Sequence, residues 1–121
     1  MFSAFDNMDA RRDIFKAWKR SWNSTNRPIF IDGRLNAEQF QIFCVTPENA
    51  DDYERIHLFN DSEVEDAPCS AQQTTHTAAM IAGHMVGFFT NHITNINLRD
   101  EVREIPFMYE YFTPMNLTVS E

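Results

Sequence analysis

Asp6 and Asn7 follow directly on the apolar run Phe2-Ser-Ala-Phe5 and lead into a stretch that carries Arg11 and Arg12. A short buried strand that ends in an acidic turn and opens a helix is the geometry by which an open α/β sheet holds a nucleotide, or its metal, at the carboxyl edge of a strand. Asp6 is therefore a candidate magnesium ligand, because a hard carboxylate oxygen suits a cation that takes few protein donors and keeps its waters. The same residue is equally placed to cap the helix. Asp32 and Arg34 flank Gly33 behind a second apolar run, Pro28-Ile-Phe-Ile31. At that sheet edge they can contact a phosphate or simply pair with each other in a turn.

Cys69 follows the acidic tract Asn60-Asp-Ser-Glu-Val-Glu-Asp66 and stands at the start of the longest helical stretch. A helix N-terminus stabilises a thiolate, which favours a nucleophile. The carboxylates of Asp61, Glu63, Glu65 and Asp66 act against a further negative charge, which favours an inert loop thiol. Cys44 alternates with core residues in a strand and reads as a core thiol. His57, His76, His84 and His92 form no i, i+4 pair and have no neighbouring cysteine set, so no zinc site is expected.

The elements that must position these residues follow from periodicity. Ile14, Phe15, Trp18 and Trp22 fall on one helical stripe, with Asp6, Asn7 or Asp9 as N-cap. Pro28–Ile31 is a short strand with Asp32-Gly33-Arg34 as its turn, and Phe40, Ile42 and Cys44 alternate with Gln41, Phe43 and Val45 in the next strand. Ala50, Tyr53 and His57 suit a short helix. From about Ser70 to Asn95 the sequence is Ala-rich and apolar on more than one face, a long central helix packed on a sheet. Ile105 to Phe112 and Met115 to Val119 close the chain as two β-like stretches.

Bulk properties narrow the function classes. The chain has 121 residues, 43% of them hydrophobic and 11 of them Phe, which fits one folded domain. A net charge of −8 argues against binding to nucleic-acid backbone or an anionic membrane surface, which demand clustered Lys and Arg. The basic residues Arg11, Arg12, Lys16, Lys19, Arg20 and Arg27 gather on the first helix and its exit, either as a solvated face or as a hold for a phosphate or acidic partner. Met1 to Ala10 has no signal-peptide character, and the longest apolar run, Ala78 to Phe89, is too short to span a bilayer. A cytoplasmic protein with reduced thiols is the expectation.

The order of these motifs (strand, Asp-Asn with Arg close behind, helix, Pro-Ile-Phe-Ile-Asp-Gly-Arg, a strand ending in Pro, a loop with Pro-Cys, a long Ala-rich helix) resembles the carboxy-terminal half of the ThiF, MoeB and ubiquitin-activating adenylyltransferases, above all their bacterial and phage ThiF-like branch. The resemblance runs from Phe2 to about Val119. It implies an α/β fold equivalent to the second half of a ThiF-type Rossmann-like sheet, completed by a partner or by dimerisation. It further implies ATP-dependent adenylation of the C-terminus of a ubiquitin-like or sulfur-carrier protein, with Mg-ATP as cofactor. Asp6 matches the magnesium-binding Asp, Arg11 or Arg12 the arginine packed near the nucleotide, and Cys69 the acyl-accepting cysteine before the long helix.

The family's glycine-rich nucleotide loop lies upstream of the Asp-Asn motif, and Gly33, Gly83 and Gly87 cannot form such a loop. The paired Cys-x-x-Cys zinc motifs are also absent. The chain is thus expected to be inactive alone, at most half of an enzyme, and to need a protein partner that supplies the N-terminal half. The alternative is a non-catalytic binding or structural subunit on a degenerate half-fold.

Overall fold

Phe43 and Val45 point to one side of a strand, Phe40, Ile42 and Cys44 to the other, and all five are buried. A strand that is apolar on both faces must lie inside a layered fold. The computed structural model, which describes residues 1–23, 25–36, 39–58, 75–112 and 116–120, shows a mixed α/β protein of that kind. Its elements are β1 (Phe2–Ser3), α1 (Met8–Arg20), β2 (Phe30–Asn36), β3 (Gln39–Val45), α2 (Ala50–Asp52) running into a π-helical turn (Tyr53–His57), α3 (Thr75–Leu98), β4 (Met108–Phe112) and β5 (Asn116–Ser120). The strands form one sheet in the order β1-β2-β3-β4-β5. β1 pairs parallel to β2 across α1, with Phe2 opposite Ile31 and Ser3 opposite Asp32. The remaining pairs are antiparallel.

Two cores cover the two faces. On one, Phe15 and Trp18 of α1 pack with Phe30, Phe43, Val45 and Tyr53. On the other, Ile81 and Met85 of α3 pack with Ile29, Ile31, Phe40, Ile42 and Cys44. The close seating of α3 depends on Gly33, where an added Cβ would stand 2.5 Å from the Met85 sulfur and 3.2 Å from Ile81 Cδ1.

Several expectations need adjustment. Asp32-Gly33-Arg34 is no turn. β2 continues to Asn36, because Asp32, Gly33 and Arg34 pair with Phe43, Ile42 and Gln41 across the hairpin, and buried partners keep Asp32 in a core position. β1 spans two residues rather than Phe2 to Phe5. α3 runs to Leu98, and only one of its faces is covered by the sheet: Ala82, Gly83, Val86 and Gly87 are exposed. No helix among the described residues is long and apolar enough to cross a membrane.

Candidate functional site

The site is built around Asp32, fully buried in β2 on the face covered by α1. A carboxylate removed from water must find charge and donors inside the protein. Arg11, which α1 places one turn inside its N-terminus, gives its Nε–H to Asp32 Oδ1 at 2.7 Å. Arg34 Nε, two residues along β2, donates to Oδ2 at 2.8 Å. The Tyr53 hydroxyl in the π-helical turn also donates to Oδ2, at 2.8 Å. Burial and then the Asp32 charge hold the Tyr53 phenol well above its ordinary pKa, so it remains a donor.

Each guanidinium also binds backbone. Arg11 Nη2 donates to the Phe5 carbonyl, and Arg34 Nη2 to the His57 carbonyl at 2.7 Å. The Arg34 guanidinium also lies over the Phe43 ring, 4.7 Å from its centroid. One buried carboxylate therefore ties together the end of β1, the first turn of α1, β2 and the π-helical turn. His57, in that turn, has its pKa lowered by burial and then by Arg34.

Asp6 lies outside this network, exposed on the turn between β1 and α1. Asn7, not Asp6, caps α1: its Oδ1 accepts from the Ala10 N–H at 2.7 Å. The turn carrying Asp6 is thus fixed on both sides, by the Phe5 carbonyl bound to Arg11 and by the Asn7 cap, while the Asp6 carboxylate itself faces outward. Among the described residues no group of three or more His, Cys, Asp and Glu gathers for a metal.

Of the residues singled out in the sequence, Arg11, Asp32 and Arg34 are brought together, and Arg11 reaches the turn that displays Asp6. Arg12 is elsewhere, at the surface, pairing with Asp9 at 3.1 Å. Cys69 lies outside the described residues. Cys44 is buried in the α3-side core, and burial pushes its thiol up to about 12.

Sequence reasoning missed Tyr53 and Ser3. An Asp closing the apolar run Ile29-Phe30-Ile31 announces a demand for internal donors, but it does not say which tyrosine, 21 positions away, will meet it. Ser3 sits beside Asp32 in the sheet, fully buried, with no hydrogen-bond partner for its Oγ. A separate cavity of about 680 Å³ opens between the C-terminal end of α3 and the end of β3, lined by Arg27, Cys44, Glu48, His92 and Arg103 among others. None of Asp6, Arg11, Asp32 or Arg34 borders it. Comparison of the chain with protein-family models, curated proteins and solved structures returns no match.

Proposed function

We propose that this chain is one part of an ATP-dependent, ThiF-type adenylyltransferase that activates the C-terminus of a ubiquitin-like or sulfur-carrier protein. The observation that carries the reading is the turn at the carboxyl end of β1, where parallel pairing with β2 and the Arg11 and Asn7 contacts hold Asp6 outward. Asp6 then serves Mg-ATP as a metal ligand. Arg11, Asp32 and Arg34 act as positioning residues behind it, since Asp32 is fully buried and both arginines pair with it and with backbone. Gly33 lies inside β2, and Gly83 and Gly87 inside α3, so the backbone amides that cradle the phosphates come from a protein partner docked at the β1 edge. Cys69 is the acyl acceptor in this reading.

One observation favours the alternative of a non-catalytic binding or structural subunit: the most elaborate polar cluster of the described fold is closed and internal. The two readings separate in one experiment. The tagged chain, recovered with its partners from its source cells, is assayed for Mg-dependent ATP–pyrophosphate exchange. The enzyme reading expects exchange that Asp6→Ala abolishes while the melting temperature stays unchanged, and no ATP binding by the chain alone in calorimetry. Absence of exchange in the recovered complex, or Asp6→Ala exchange equal to wild type, leaves the structural subunit. Tight ATP binding by the isolated chain would also overturn the divided-enzyme reading.

A further inference from the structure

The side of α3 turned away from the sheet carries a pattern that the fold does not use. Ala79, Gly83, Val86, Thr90, Ile93 and Asn97 follow one another at alternating intervals of four and three residues, and all six are exposed. A spacing that averages 3.5 residues along a 24-residue helix is the seam by which two helices pack together. Val86 is 58% exposed. The Thr90 hydroxyl is satisfied within the helix, donating to the Val86 carbonyl at 3.0 Å, so this position makes no polar demand on the seam.

The glycines point the same way. A Cβ added at Gly83 or Gly87 would meet nothing within 4 Å. Among the described residues no contact calls for glycine there, and each weakens the helix relative to alanine. Charge is equally telling. Thr75–Leu98 contains no Asp, Glu, Lys or Arg, although the chain has 18 acidic and 10 basic residues.

We propose that this face packs against the same face of a second copy of the chain, the two α3 helices running antiparallel about a two-fold axis near Val86. A two-fold contact requires a surface complementary to itself. The seam provides one: its first half is small, at Ala79 and Gly83, and its second half bulkier, at Thr90 and Ile93. Antiparallel alignment sets Gly83 opposite Thr90 and Ala79 opposite Ile93, so that small meets large along its length, whereas a parallel pair would set Ile93 against Ile93 and Gly83 against Gly83. Charge selects the same occupant. Two copies of a −8 chain repel wherever their carboxylates meet, and α3 is the long element that brings none. A basic partner would find no acidic residue on α3 to engage. This association stands apart from the nucleotide reading, which concerns the β1–α1 turn.

The test is the mass of the whole chain in solution, by sedimentation velocity and light scattering across the micromolar range. A dimer is expected. Val86→Arg, at an exposed position, sets like charges against each other at the axis and should give a folded monomer whose melting temperature, unlike that of the wild type, does not change with protein concentration. Gly83→Leu with Gly87→Leu fills the depressions and should also give a folded monomer. In a Cys69→Ser background, Val86→Cys should cross-link two copies on treatment with diamide, and Leu98→Cys, at the far end of the helix, should not. A monomer throughout the range overturns the proposal, including one whose residue 86 becomes protected only by a different protein or by lipid vesicles. So does a dimer that Val86→Arg leaves intact.

Discussion

The polar residues around Asp32 answer to two different costs, and two substitutions separate them. Asp32 is compensated: two guanidiniums and a phenol satisfy its oxygens. Asp32→Asn keeps the shape but strands Arg11 and Arg34 without their counter-charge, which should lower stability by about 3–5 kcal/mol in urea unfolding. A loss below about 1 kcal/mol would mean that the network contributes little. Ser3 is the opposite case. Its buried hydroxyl has no partner, so Ser3→Ala should be neutral or stabilising in the same assay. Cys44 brings a pH dependence. Burial raises its folded-state pKa from 9.0 to about 12, so the unfolded chain ionises first as pH rises, and stability falls across that interval. Cys44→Ala should therefore lose less stability than wild type as pH rises from 9.0 towards about 12. An equal loss in both proteins would show that the thiol is not responsible. Asp32 and Arg34 were visible in the sequence as a pair. That they face inward was not, because their surroundings come from α1 and the π-helical turn, distant in sequence.

At the scale of elements, local chemistry was the readable part. The stripe of Ile14, Phe15, Trp18 and Trp22 marks α1, and the alternation through Phe40–Val45 marks β3, because both patterns follow directly from which face is buried. The hairpin was misread at Gly33, since glycine signals a turn as readily as it signals close packing, and only the position of Met85 distinguishes the two. The end of α3 has its own logic. The Arg99 N–H bonds the Ile96 carbonyl at 3.2 Å and the Asp100 N–H the Asn95 carbonyl at 3.2 Å, with Arg99 at φ 54°, which is a Schellman cap with arginine where glycine fits best. Arg99→Gly should exceed Arg99→Ala in stability by about 1 kcal/mol, the two variants sharing the loss of charge and differing in left-handed strain. Equal melting temperatures would argue against that geometry. Beyond the cap, Asn95 grips the Arg103 backbone with both ends of its amide, at 2.9 and 3.0 Å, and fixes the loop that leads to β4.

For the molecule as a whole, the sequence disclosed an α/β class and a sheet covered by helices. It did not disclose how unequally α3 would be used. Ala-rich helices that read as apolar all round are expected to be buried all round, yet here Ile81 and Met85 meet the sheet while Val86 and Gly87 face outward. The reason is that the sheet meets only the stripe of α3 turned towards it, and hydropathy along a helix does not say which stripe that is. The candidate site divides in the same way. The residue types were legible, but Asp6 and Asp32, alike in sequence context, were sorted by burial into one outward carboxylate and one internal tie.

The brevity of β1 has a kinetic side. Two residues of parallel pairing attach it to β2, whereas β2 and β3 share seven paired positions. Segments anchored by so few backbone bonds open by local unfolding far below the free energy that unfolds the domain. Native-state hydrogen exchange should therefore find the amides of residues 3–5, and that of Ile31, which donates to the Met1 carbonyl, among the first to exchange, and those of Ile42 and Cys44 among the last. Asp32→Asn should hasten the first group, because Arg11, which holds the Phe5 carbonyl, is itself steadied by that carboxylate. Each opening would release the turn that carries Asp6, so the lifetime of the closed strand, more than the strength of any single contact, sets how long that carboxylate keeps its orientation.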